Sequence, residues 1–233
     1  MLSIRHRFLL IITFAVFCLG FIQCNRIKNP IPEYTERIFP IEEGQSRIYW
    51  VLDTTYSVQD TFVDWFYRKE VIGPTETDLL GREVYRLETF RSEYDLGSNY
   101  DWQPERIWTV YKDDEFAERM EDNQRTLVLK FPVFPGIKWN GNLYNGIGEQ
   151  EFKYQSIDTV MDVQGVTYDP LVFVLNSLPS DTTSLIKQRL AYELYAPDIG
   201  KVMHYDLTKV YDQPNSRIPN PDKSYTHIEI LVP

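Results

Sequence analysis

Residue types able to do chemistry are few in this chain, and they are scattered. Of three histidines, His6 lies in the N-terminal leader, which leaves His204 and His227. His204 shares a strand face with Asp206, a spacing of two that suits a cross-strand hydrogen bond better than a metal shell. No HExxH, Cys–His or EF-hand spacing occurs, so neither a metal nor a cofactor is expected. There is no G-x-S-x-G elbow, and no serine sits in a recognisable frame with a histidine and an acid. Gly141–Gly148 (GNLYNGIG) lacks the lysine and the strand-to-helix context of a phosphate loop. Carboxylates crowd into Asp113, Asp114, Glu115, Glu118, Glu121 and Asp122. Glycoside hydrolysis needs two of them facing each other across a cleft, whereas a charge-dense run is ordinarily a solvated one. A non-enzymatic role is expected. Tyr100, Trp102, Trp108, Tyr111, Trp139 and Tyr144 gather in the middle third. Trp102, Trp108 and Trp139 are the candidate ligand-binding residues, since stacked rings hold glycans or apolar molecules. The same rings also serve to fill the core of a β-domain that has no disulfide.

Cysteine chemistry is confined to the start of the chain. Arg5 and Arg7 precede an uncharged run of 15 residues, Phe8 to Ile22. As a helix that run spans roughly 22 Å, short of a hydrocarbon core of about 30 Å. It therefore predicts a cleaved export signal rather than a permanent span. The two cysteines are Cys18 and Cys24. Phe21-Ile22-Gln23-Cys24 resembles a bacterial lipoprotein lipobox, with Gln23 standing where a small residue is usual. That resemblance implies cleavage before Cys24 and a lipid on its sulfur. The expected organisation is a signal peptide at 1–23, a flexible tether at 24–37 rich in proline and polar residues, and one domain at 38–233.

Charge limits the partners. Without Arg5 and Arg7 the chain carries 22 basic and 34 acidic residues, a formal charge of −12. Such a surface disfavours nucleic acid and anionic headgroups. The expected partners are the membrane, through the anchor, and an envelope protein or a hydrophobic ligand.

The elements that must position these residues are strands. Ser46 to Tyr56 places Ile48, Trp50, Leu52 and Tyr56 on one face, with Tyr49, Val51, Asp53 and Thr55 on the other. Thr61 to Ile72 sets Val63, Trp65, Tyr67 and Val71 against Asp64, Arg68 and Glu70. That is period two, the mark of an antiparallel strand. Further strands are predicted at 82–92, 105–112, 126–131, 150–158, 170–176, 184–195, 200–210 and 224–232. Turn signals such as Asn140-Gly141, Pro179-Ser180-Asp181 and Asp198-Ile199-Gly200 separate them. Only Asp113–Asp122 offers a helix, with Phe116 and Met120 four apart. The expected fold is all-β, mainly antiparallel, a single-domain β-sandwich or open, half barrel behind an N-terminal signal helix.

Three stretches resemble a family of uncharacterised Bacteroidetes-type lipoproteins. They are Phe39-Pro40-Ile41-Glu42-Glu43-Gly44 running on to Arg47–Asp53, then Leu129–Val133 with Trp139-Asn140-Gly141-Asn142, and last Glu193–Val202 (ELYAPDIGKV). Lys201 departs from the pattern, where an apolar residue is common. The resemblance implies a single β-rich domain behind a lipid anchor in the cell envelope. Asn25, Arg26, Ile27, Lys28 and Asn29 after the cysteine carry no acid of the kind that can mark surface display, so an outer-membrane lipoprotein facing the periplasm is expected. The resemblance brings no activity with it. The leading functional expectation is a membrane-anchored binding or assembly module. A carrier of lipid or another hydrophobic ligand in a half-open barrel is the alternative, and a carboxylate-dependent hydrolase comes third.

Overall fold

Period-two alternation is realised as antiparallel pairing throughout the described residues, 31–56, 60–93, 100–176, 186–214, 216, 219–220 and 223–233 of a computed structural model. Cys24 and the expected signal helix lie outside them. Twelve strands form one sheet: β1 (Ser46–Tyr56), β2 (Thr61–Thr77), β3 (Glu83–Glu93), β4 (Gln103–Lys112), β5 (Phe116–Glu121), β6 (Gln124–Lys130), β7 (Lys138–Asn140), β8 (Glu151–Val163), β9 (Val166–Leu175), β10 (Lys187–Ala196), β11 (Gly200–Val210) and β12 (Tyr225–Leu231). Sequence neighbours pair in turn, and β1 pairs with β12. The sheet thus curls into a nearly closed meander barrel with one seam, between β6 and β7.

Two of these strands depart from expectation. β7 is short, and β5 occupies the predicted helix. Hairpin chemistry overrides the i, i+4 spacing there. Asp113 Oδ1 accepts bonds from the backbone of Glu115 (2.8 Å) and Phe116 (2.9 Å), which turns the chain into the strand. Asp122 and Asn123 then both take positive φ, 47° and 63°, the pattern of a type I′ two-residue loop. Between the turns, Ala117, Glu118 and Arg119 are buried. An isolated short helix with one apolar pair has little to oppose this.

The seam carries no ladder, yet the edge groups of β6 are occupied. Leu127 N–H donates to Gly141 O (2.8 Å), and Trp139 Nε1 donates to Leu127 O (2.9 Å). The Tyr154 hydroxyl accepts from Lys130 N (3.1 Å) and donates to Lys130 O (2.6 Å), and Asn145 Nδ2 donates to Arg125 O (2.8 Å). Satisfying an edge in this way removes a template for pairing with other chains. Gly141 fits only because it lacks a side chain: a Cβ there would sit 2.4 Å from Phe152 Cε1. Gly141→Ala is therefore expected to cost about 1–3 kcal/mol by overpacking, read as a lower urea midpoint.

The core is asymmetric along the barrel. One end is plugged by the entering chain, where Ile38 and Phe39 pack with Ile72, Leu87, Val110, Leu129 and Tyr195. Residues 31–37, expected as tether, lie against the barrel, with Tyr34 bonded to Asp158 (2.5 Å) and Arg37 to Asp198 (2.6 Å). A second apolar cluster forms on the outer face. β8 and β9 shift register repeatedly and Asp158 takes φ 54°, so the hairpin bends. It lays Val163 and Tyr168 on Leu194, Val202 and Ile230, with Trp50 at the edge. Elsewhere the outer face is mixed: Arg86 pairs with Glu88 (3.0 Å), both on the face opposite buried Leu87, while Val63, Trp65 and Ile107 stand exposed.

Candidate functional site

Which face of each strand turns inward is set by the buried residues. On β1 these are Tyr49 and Val51; their partners on β2 are Arg68 and Phe66, and on β12 Leu231 and Glu229. The polar stripe Asp64, Arg68, Glu70 therefore points into the barrel, while Val63, Trp65 and Tyr67 point out. This inverts the usual assignment of an apolar stripe to the interior. A barrel of twelve strands is wide, and wide barrels enclose polar or hollow space.

From the plug inward, charged side chains form a network around Glu229, with Glu70 and Lys201 beside Phe39 and Pro40. Lys201 Nζ donates to Glu229 Oε2 (2.5 Å) and to Glu70 Oε1 (3.3 Å), and all three side chains are 4% exposed. Arg68 binds Glu229 and Glu105. His227 bonds Asp53 through Nδ1 and lies 3.3 Å from Glu229 through Nε2. Burial alone would raise the Glu229 carboxyl, but the Lys201 charge, the His227 hydrogen bond and Arg68 outweigh it and hold it well below the usual range. Burial likewise pushes the His227 imidazole down, and the bonds and charges of Asp53 and Glu229 reverse this, lifting it to about 9.

Above the network, away from the plugged end, lies a cavity of about 600 Å³. Inward residues of β5, β6, β8, β10 and β11 line it, among them Arg119, Thr126, Val128, Phe152, Glu193, His204 and Asp206; Asn142, Gln150 and Asn176 come from adjoining loops. Cross-strand pairs organise the wall. His204 Nδ1 bonds Glu193 Oε1 (2.9 Å) and the Tyr195 hydroxyl donates to Glu193 Oε2 (2.6 Å). Burial pushes the Glu193 carboxyl up, and the His204 hydrogen bond and charge, with Arg119 and Lys201, more than offset this and bring it to about 2. Arg119 donates to Glu121 (3.2 Å) and Arg189 to Asp206 (3.2 Å). On two of the lining residues one side-chain atom is sealed from the cavity and lacks a protein partner, Arg119 Nε and Asn176 Oδ1.

The residues singled out from sequence fall in different places. Trp139 is buried at the seam against Phe152 and Tyr154, ring centres 5.8 and 4.8 Å away. Trp108 faces the barrel axis beside Arg68, whose guanidinium is 5.9 Å from its ring. Trp102 stacks on Tyr100 (4.8 Å) under the Lys69 ammonium. None of the three lines the large polar cavity, and they are not brought together. Asp206 and His204 do share a face, as their spacing requires, with the predicted cross-strand hydrogen bond. The acidic run disperses among arginines: Glu118 pairs with Arg82 (2.8 Å), Glu121 with Arg119 and Asp122 with Arg106 (2.8 Å). Among the described residues, no three His, Cys, Asp or Glu side chains are grouped as a metal shell. Arg119, Asn176, Glu193, Lys201 and Glu229 carry no motif that marks them as a site in sequence. The one available signal is a charge standing alone between apolar neighbours, as in Ile228-Glu229-Ile230.

Fold and cavity together define an antiparallel barrel with a polar interior, hollow at one end. No family model, no curated protein and no solved structure matches this chain.

Proposed function

We propose that this chain is an envelope lipoprotein that carries or presents a small ligand inside its barrel. The hollow, half-enclosed interior carries this reading: its volume of about 600 Å³ falls in the range of small-molecule sites. A docking or assembly module would have no need of such a space. Val128, Ile147 and Phe152 give an acyl chain or another apolar group a place in the lining, while the remaining wall is polar. The ligand that fits is amphipathic. Anchoring through Cys24, on an outer-membrane lipoprotein of the Bacteroidetes type facing the periplasm, is the other half of the proposal. It rests on the basic start, the short apolar run and the lone mature cysteine.

Native mass spectrometry of the full-length protein extracted from its own membranes tests the carrier role. A noncovalent small-molecule adduct is expected on the wild type, and Thr126→Trp, which fills the cavity with an indole, should abolish it. Wild-type protein that is consistently bare would sink the proposal. A fatty-acid analogue supplied in growth should label the wild type and leave Cys24→Ala unlabelled; equal labelling would remove the anchor.

A further inference from the structure

The hydrogen-bonding groups still open in the cavity narrow the ligand class, a narrowing that rests on the carrier proposal. The lining carries three cations, Arg119, Lys187 and Arg189, and three acids, Glu121, Glu193 and Asp206. These formal charges cancel, so selectivity rests on which groups are already spent. The inner acids are. Asp206 accepts from Arg189 (3.2 Å) and the Tyr225 hydroxyl (3.2 Å) at Oδ2, and from Thr208 (3.4 Å) at Oδ1. Glu193 is held at Oε1 by His204 (2.9 Å) and at Oε2 by Tyr195 (2.6 Å). Little on either carboxylate is left for a ligand.

The guanidiniums differ, because each holds several donors in a rigid fork. Arg189 bonds Asp206 through Nη2 alone; its Nε and Nη1 have no protein partner among the described residues and are not sealed from solvent. One bidentate edge of the fork therefore stays open, on a side chain that is 22% exposed and lines this cavity. Arg119, 10% exposed, pairs through Nη1 alone with Glu121, which is 41% exposed. A buried guanidinium with a single solvated partner favours a further anion near it. His204 Nε2 is open as well, and an imidazole nitrogen can accept or donate. What the cavity leaves unmet is chiefly cationic donors, and an anionic acceptor meets them. A carboxylate matches the fork geometry. Where the lining's charges already cancel, its single charge disturbs the balance less than the nearly double charge of a phosphate monoester. The chain's net negative charge acts at longer range and is screened by salt. We propose that the cavity binds an aliphatic carboxylate, with its head on the open edge of Arg189 and its chain beside Val128 and Phe152. Free fatty acids and acyl amino acids present this same chemistry.

The test uses the full-length protein in phosphatidylcholine nanodiscs, with empty nanodiscs as the blank. It is titrated calorimetrically with octanoate, octan-1-ol, octylamine and octyl phosphate. Octanoate is expected to bind about tenfold more tightly than the others. Arg189→Gln should weaken octanoate about tenfold, the scale of a lost hydrogen bond to a charged group, with octanol binding and the melting temperature unchanged. Should Arg189→Gln fail to fold, Arg189→Lys, which keeps the charge and loses the planar fork, is expected to show a smaller loss of the same kind. Competition separates the sources: an acyl-amino-acid site prefers N-octanoylglycine to octanoate, and a fatty-acid site does not. Octanol, octylamine or octyl phosphate binding as tightly as octanoate would overturn the ligand class and leave the carrier in place, as would undiminished octanoate binding in Arg189→Gln. If none of them binds, the ligand class falls, and the carrier role falls with it where the native protein is also bare.

Discussion

Replacing Lys201 with methionine should lower the unfolding free energy by about 3–5 kcal/mol, the scale on which removal of one partner from a buried ion pair acts. The ammonium sits inside the barrel between two carboxylates, 2.5 Å from Glu229 and 3.3 Å from Glu70. Glu229 would keep Arg68 and His227. Glu70, whose side chain is 4% exposed, would be left buried without its cation. The loss should therefore lie mainly with Glu70. Adding Glu70→Gln to Lys201→Met is expected to recover most of the stability, because a buried amide needs hydrogen bonds and no counter-ion. Urea denaturation of the single and double variants forms a double-mutant cycle. If Lys201→Met alone were harmless, the interior network would have no part in holding the barrel together. Backbone consequences are expected to be small, since Lys201 also accepts a bond from the Tyr49 hydroxyl through its own carbonyl (3.0 Å), which methionine retains.

The same residue shows how far the sequence can be read. Strands are legible because period-two alternation and turn residues are local signals: β1, β2, β10 and β11 fall where Ile48–Tyr56, Val63–Val71 and the Asp198-Ile199-Gly200 turn place them. β5 is not, because Phe116 and Met120 mimic a helix face, and Asp113 and Asp122-Asn123 act as hairpin turns only once β4 and β6 are beside them. The orientation of the faces is not legible at all. Alternation gives a period without a sign, and three circumstances set the sign here. The barrel is wide enough to hold Arg68, Glu70, Lys201 and Glu229; the bent β8–β9 hairpin covers Leu194 and Ile230 from outside; and the N-terminal Ile38 and Phe39 fill one end. All are long-range. Lys201 stands out as the break in an otherwise apolar motif, yet its partners Glu70 and Glu229 lie on strands far away in sequence. The cavity is harder still, because Arg119 and Asn176 become neighbours of one space only after β5 and the end of β9 are brought across the barrel.

Between about pH 6.5 and 9 the protein is expected to lose about 3 kcal/mol of stability through one histidine. His227 has an ordinary pKa of 6.5 in the unfolded chain and about 9 in the fold, where Asp53 and Glu229 hold its proton. A group raised on folding stabilises the native state in full below its unfolded value and loses that contribution as pH climbs through its folded value. With about 1.4 kcal/mol for each unit of difference, the shift gives that magnitude. The side chain is 23% exposed, so solvent screening removes only part of it. The acid side behaves oppositely. Glu193, lowered to about 2, and Glu229, lowered further, contribute above the ordinary value of 4.5 and lose that contribution as pH falls. Stability should therefore be greatest between about pH 4.5 and 6.5, where His227 is charged and both carboxylates are ionised. Urea midpoints of the full-length protein at pH 6 and pH 9 measure the effect, and His227→Gln should flatten the alkaline limb while reducing the acid limb only by its share in Glu229 and leaving that of Glu193. An alkaline limb equally steep in His227→Gln would show that the imidazolium does not bridge Asp53 and Glu229 inside the barrel.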